Sequence, residues 1–108
     1  MDNLKSDKYY IDLARKDIEK IIQYTKDVSY EEFISDDQLI DAVMFRLVQM
    51  IENIKMLTND FKNKHSDIEW NEIIGFRNRI VHDYGKTDYT VVYEIIKEDI
   101  QKLQTIFK

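Results

Sequence analysis

The chain contains no proline and only two glycines in 108 residues. Proline breaks the i to i−4 hydrogen-bond ladder and glycine weakens a helix by its backbone freedom, so their scarcity leaves few places where a helix must stop. With Ile, Leu, Lys, Glu and Asp abundant, the sequence points to helix nearly throughout. One hundred and eight residues make a single domain, taken as 1–108. A domain of this size buries about two-thirds of the surface of its unfolded chain. Its core is therefore modest, and a second copy is a common way to extend one.

Apolar spacing divides the chain into four long stretches. The first runs from about Ser6 to Lys26 on Ile11, Ala14, Ile18, Ile21 and Ile22. Ser29-Tyr-Glu-Glu32 is a capping-box pattern that introduces a short turn carrying Phe33. The second stretch runs from Asp36-Asp37 to about Phe61. Its apolar set is wide (Leu39, Ile40, Val43, Met44, Leu47, Val48, Met50, Ile51, Ile54, Leu57), which implies burial on two sides, one of them open to a partner subunit. After a polar connector over Lys62 to His65, Ser66-Asp-Ile-Glu69 reads as a second capping box. It opens a third helix on Trp70, Ile73, Ile74, Ile80 and Val81, with Gly85 as its C′ residue. Thr87 or Asp88 caps the last helix, built on Val92, Ile95, Ile96, Leu103, Ile106 and Phe107. The expected fold class is all-α, an antiparallel up-and-down four-helix bundle, as a two-fold dimer.

Several functions are excluded at once. Without cysteine there are no disulfides, thiolate nucleophiles or zinc-thiolate sites. No signal-like or membrane-length apolar run occurs, so the expected localisation is cytoplasmic, away from membranes. A formal net charge of −5 opposes indiscriminate nucleic-acid binding, so any such site must be a local basic patch.

One such patch exists, in Gly75-Phe-Arg-Asn-Arg-Ile-Val-His-Asp-Tyr84-Gly85-Lys86. It holds Arg77 and Arg79, two of the four arginines, and His82, one of two histidines. On a helix Asn78 and His82 are i, i+4 neighbours, and Arg77 lies beside them. Tyr84 falls almost in line with Arg77 if the helix continues, whereas Arg79 points elsewhere. An imidazole can take a proton from an RNA 2′-hydroxyl or give one to the leaving oxygen. A guanidinium can grip the scissile phosphate through paired hydrogen bonds. Tyr84 can stack on a base or bond the phosphate, and neither metal nor cofactor is required. On residues alone, Arg77 is equally readable as the ion-pair partner of an acidic neighbour on another helix, and Asn78 as a solvated position. Trp70 reads as core or dimer contact and His65 as an exposed connector residue. The carboxylate runs Glu31-Glu32, Asp36-Asp37 and Glu98-Asp99 read as caps and solvated faces without metal geometry.

Arg77-Asn-Arg-Ile-Val-His82-Asp-Tyr84 resembles the R-x4-H-x-Y motif of the HepT-like (DUF86) HEPN ribonucleases, toxins paired with a minimal nucleotidyltransferase (MNT) antitoxin. The flanking Trp70-Asn-Glu-Ile-Ile-Gly-Phe-Arg, the Ile96-Lys-Glu-Asp-Ile segment and Ile18-Glu-Lys-Ile-Ile-Gln-Tyr-Thr-Lys with Tyr30-Glu-Glu-Phe33 are similar to that family as well. Val48-Gln-Met-Ile-Glu-Asn-Ile-Lys departs from it, where many relatives carry Gly-Glu-Ala. The resemblance implies a homodimeric, metal-independent endoribonuclease cutting single-stranded RNA. It assigns catalysis to Arg77 and His82, while the composition of the patch itself offers Asn78, Arg79, Tyr84 and Lys86 for support or RNA binding. It also implies silencing when the nucleotidyltransferase adenylylates Tyr84, placing an anion at a phosphate site. The other expectation is a non-catalytic helical module that binds nucleotide or a nucleotidyltransferase partner.

Overall fold

A computed structural model describes residues 6–82 and 88–108, with Val81 and His82 described by backbone alone. All regular structure among the described residues is helical. The elements are α1 (Asp7–Thr25), α2 (Tyr30–Ile34), α3 (Asp37–Lys55), α4 (Asn59–Lys64), α5 (Trp70–His82), α6 (Tyr89–Glu94), a π-helical turn (Ile95–Asp99) and α7 (Ile100–Ile106). No helix among the described residues is long and apolar enough to cross a membrane.

Side-chain caps set most of the boundaries. Ser6 accepts from the Tyr9 amide to start α1. Ser29 and Glu32 form the expected reciprocal capping box, and the segment it opens is a helical turn, α2, that buries Phe33 completely. Asp36 caps α3 by accepting from the Leu39 amide. Asp88 caps α6 by accepting from the Thr90 amide. Gly85 and Thr87 lie outside the described residues.

Two expected boundaries are corrected. The second long helix stops at Lys55 rather than continuing to Phe61. Thr58 caps a separate helix, α4, by accepting from the Phe61 amide, and its own N–H and hydroxyl donate to the Asp7 carboxylate at 2.9 and 2.7 Å. That tether to the start of α1 turns the chain where apolar periodicity alone would carry it on. The third helix begins at Trp70, not at Ser66. Residues 65–68 form a turn that places Ile68 in the core, and the Trp70 indole N–H donates to the carbonyls of Lys62 and His65, both at 3.1 Å. Burying Ile68 outweighs what a capping box at Ser66 would contribute. The π turn in the last helix was not foreseen, since nothing in the apolar spacing around Ile95 and Ile96 marks it.

The core lies along α3. Its residues Ile40, Val43, Met44, Leu47, Met50, Ile51 and Ile54 are all buried, facing α1 on one side and α5 on the other. Ala14, Ile18 and Ile21 of α1 are fully buried, and α1 also packs on the π turn and α7. Trp70 stacks on Phe107 with ring centroids 6.4 Å apart, as a core residue. His65 is half-buried against Phe61, at 4.8 Å between rings, rather than exposed. At the other end of the core, the Tyr93 hydroxyl donates to the Val28 carbonyl at 2.8 Å, joining α6 to the loop before α2.

One ion pair crosses the α1–α3 seam. Arg46 Nη1 donates to Asp17 Oδ1 at 3.1 Å, with the Asp17 side chain only 7% exposed. Burial pushes the Asp17 carboxyl up despite the lowering influence of Arg46, so its charge is held at a cost. A raised folded pKa contributes stability that is full below the unfolded pKa and lost as pH rises through the folded value.

Asp17→Asn, which keeps an acceptor for Arg46, should therefore equal or exceed wild type in stability at pH 7, by no more than about 1 kcal/mol. The difference should shrink as pH falls toward 4, measured by denaturant unfolding at both pH values. Leu47→Ala, at a site with no exposure, should cost about 2–5 kcal/mol in the same assay. Gly75 is exposed, helical in backbone, and a Cβ there meets nothing within 4 Å. Gly75→Ala should therefore stabilise the fold by about 0.5–1 kcal/mol.

Candidate active site

The chain reaches the site through α5. Its inner face is fixed by Ile73, Phe76 and Ile80, all buried and spaced three and four apart. That anchoring sets the direction of the intervening polar residues. Arg77 turns toward α3, while Asn78 and Arg79 are exposed.

Arg77 is held from α3. Its Nε lies 2.7 Å from Glu52 Oε2, and both atoms are closed off from solvent. The contact is an ion pair rather than an aligned hydrogen bond. Lys55 Nζ stands 3.8 Å from the same carboxylate oxygen. On the other side of the guanidinium, Arg77 Nη1 donates to Asn78 Oδ1 at 3.3 Å. The Arg77 side chain remains 29% exposed. The expected ion pair with a neighbouring helix thus exists, and it leaves part of the guanidinium accessible.

Arg79 points away, as its helical position implies. Its guanidinium carbon sits 5.1 Å from the centroid of the Phe76 ring. It lines a cleft between α5 and the last helical segments whose other walls include Glu69, Glu72, Glu94, Glu98 and Asp99. Burial raises the Asp99 carboxyl, against the lowering influence of Lys102 and reinforced by Glu98 and Glu72. Five carboxylates around one arginine repel a polyanion, so this cleft is no place for RNA.

His82 is the last residue of α5, so Asn78 and His82 sit one turn apart on a continuous helix. The His82 side chain lies outside the described residues, as do Tyr84 and Lys86. Among the described residues no group of three His, Asp or Glu is placed to hold a metal ion.

Glu52 is the site residue that sequence reasoning missed. A signal was present, since Glu52 is the one carboxylate within the apolar run Leu47 to Ile54. Spacing along α3 could not say which helix it would face.

Comparison with known proteins bears on the same stretch. The family model described as Ribonuclease HepT-like matches residues 14–108, which contain Glu52 and the whole Arg77 to Tyr84 motif. A Methanocaldococcus jannaschii protein provisionally named an RNase is 36% identical over 84 residues, covering 78% of this chain and 77% of its own. A Thermococcus cleftensis protein bearing the name probable ribonuclease HepT is 33% identical over 104 residues, 96% of this chain and 94% of its own. A Caldanaerobacter subterraneus protein, also provisionally named an RNase, is 31% identical over 101 residues, 94% of this chain and 90% of its own. No solved structure matches the chain. With an all-helical fold, an arginine presented at the surface of α5 and a match over most of its length, the chain belongs to the HepT-like ribonuclease family.

Proposed function

We propose that the protein is an endoribonuclease that cleaves single-stranded RNA without a metal ion, using Arg77 and His82. The observation that carries this reading is the match to a ribonuclease family over residues 14–108, within which one helix, Trp70–His82, bears both the arginine and the histidine. The Arg77 guanidinium grips the scissile phosphate and stabilises charge as it builds. The His82 imidazole takes the proton of the 2′-hydroxyl as its oxygen attacks phosphorus, or returns one to the departing oxygen. Since each protomer has a single motif histidine, an acid and a base together require His82 from two copies. Asn78, Tyr84 and Lys86 support RNA binding, while Arg79, turned into the acid-walled cleft, contributes least of the four.

The proposal includes an antiparallel four-helix bundle paired as a two-fold homodimer. Phe45 and Met56 support this, being 57% and 55% exposed on α3. Around that helix Phe45 falls within roughly 20° of Glu52 and Met56, at its C-cap, within roughly 40°, by the 3.6-residue period. An apolar stripe beside the Arg77–Glu52 pair is where a second copy could bring two motifs together. Within the same reading the protein is the toxin of a HEPN/MNT pair, silenced when the partner nucleotidyltransferase adenylylates Tyr84. The added phosphate would sit at the mouth of a phosphate site and repel RNA.

Purified protein should cut single-stranded RNA in EDTA, with Arg77→Ala and His82→Ala each at least about 100-fold slower while folded and dimeric by circular dichroism and light scattering. If either variant cut as fast as wild type, the catalytic assignment would fail. Wild-type protein of unmodified mass that bound RNA or nucleotide without cutting would favour a binding module instead.

A further inference from the structure

Glu52 lies outside the R-x4-H-x-Y motif, on a different helix, yet it makes the shortest contact to the motif arginine among the described residues. We infer that Glu52 is a positioning residue for Arg77: it holds the guanidinium by its Nε and leaves the outer edge, Nη1 and Nη2, facing the phosphate. The inference rests on the reading of Arg77 as the phosphate-gripping residue.

The geometry separates the two ends of the side chain. A guanidinium offers five N–H donors in a planar fork, one at Nε and four at the Nη atoms. The Nε and Glu52 Oε2 are closed off from solvent and 2.7 Å apart. Asn78 Oδ1 accepts one Nη1 hydrogen at a long 3.3 Å. Among the described residues nothing else is bonded to the guanidinium, whose outer edge has three of its four Nη hydrogens without a partner there. That edge has the spacing to meet two phosphate oxygens at once. Anchoring at the base and openness at the tip is the arrangement that orients a long side chain without occupying it.

Two physical consequences distinguish this from an ordinary surface ion pair. First, an arginine with many rotamers loses its aim when the anchor is removed, and small errors in placing a reacting group slow chemistry by large factors. Second, the carboxylate competes with phosphate for the same positive charge, so it weakens ground-state RNA binding while it fixes geometry. The Nε–Oε2 contact is an ion pair without an aligned hydrogen bond, so an isosteric amide removes the anchoring charge and the competing charge together.

The experiment is steady-state cleavage of a single-stranded RNA by wild type, Glu52→Ala, Glu52→Gln, Arg77→Ala and the Glu52→Ala/Arg77→Ala double variant, each checked for fold by circular dichroism. The expected result is a kcat about 10–100-fold lower for Glu52→Ala, by analogy with other outer-shell partners. For Glu52→Gln it is a kcat lowered toward that of Glu52→Ala and a KM about two- to fivefold lower than wild type, as expected when the charge that both anchors Arg77 and competes with phosphate is removed. The double variant should be no slower than Arg77→Ala alone, since an anchor with nothing to hold has no effect. Wild-type kcat in Glu52→Ala, beside an inactive Arg77→Ala, overturns the positioning role and leaves the ribonuclease reading standing. Wild-type cleavage by Arg77→Ala overturns the ribonuclease reading itself. If Glu52→Ala does not fold, Glu52→Gln decides alone, and an unchanged or raised KM sinks the inference.

Discussion

The burial of α3 on two sides is the constraint from which the rest follows. Seven of its nineteen residues are buried apolar side chains, and they serve α1 and α5 together. A helix in that position cannot rotate without exposing one of its two seams, and interiors packed to crystal-like density resist such adjustment. Its register therefore fixes both neighbours. The Asp17–Arg46 pair on one seam is carried by that register, not its cause, because burial of Asp17 works against the charge that the pair requires.

The other seam carries the Arg77–Glu52 pair. Ile73, Phe76 and Ile80 lock α5 against the core, and the residue after Phe76 is turned toward α3. Glu52 stands opposite, one turn from the end of α3, with Lys55 beside it. A charged pair in such a place is costly unless each partner satisfies the other. The half-exposed setting keeps that cost low, and leaves Arg77 both restrained and reachable. The acid-walled cleft on the far side of α5 adds a directional element, since a polyanion is repelled there.

Charge distribution makes the same point for the molecule as a whole. With a net charge of −5, the body does not attract RNA. On the proposed reading, affinity for RNA comes from the one basic stretch of the sequence, Arg77 to Lys86, rather than from bulk charge. A local patch of this kind trades overall affinity for placement. That suits a site whose task is to hold one phosphate rather than to coat a strand.

By itself, the sequence determined that the chain is helical, where most helices begin, which residues form the core and which stretch resembles a ribonuclease motif. These are local properties. Missing prolines, the Ser29 box, the Asp36 cap and the 3.6-residue apolar spacing act within a few residues of one another. Tertiary structure decided the rest. The break at Met56 depends on Asp7, fifty-one residues before Thr58, and the late start of α5 depends on the burial of Ile68 and the indole of Trp70. The short helix α4 and the π turn follow from packing that no local pattern records. Above all, the pairing of Glu52 with Arg77 joins residues twenty-five positions apart. Sequence could say that Arg77 might find an acid on a neighbouring helix, but which acid depends on the rotation of α3 against α5, and only the packed core sets that angle.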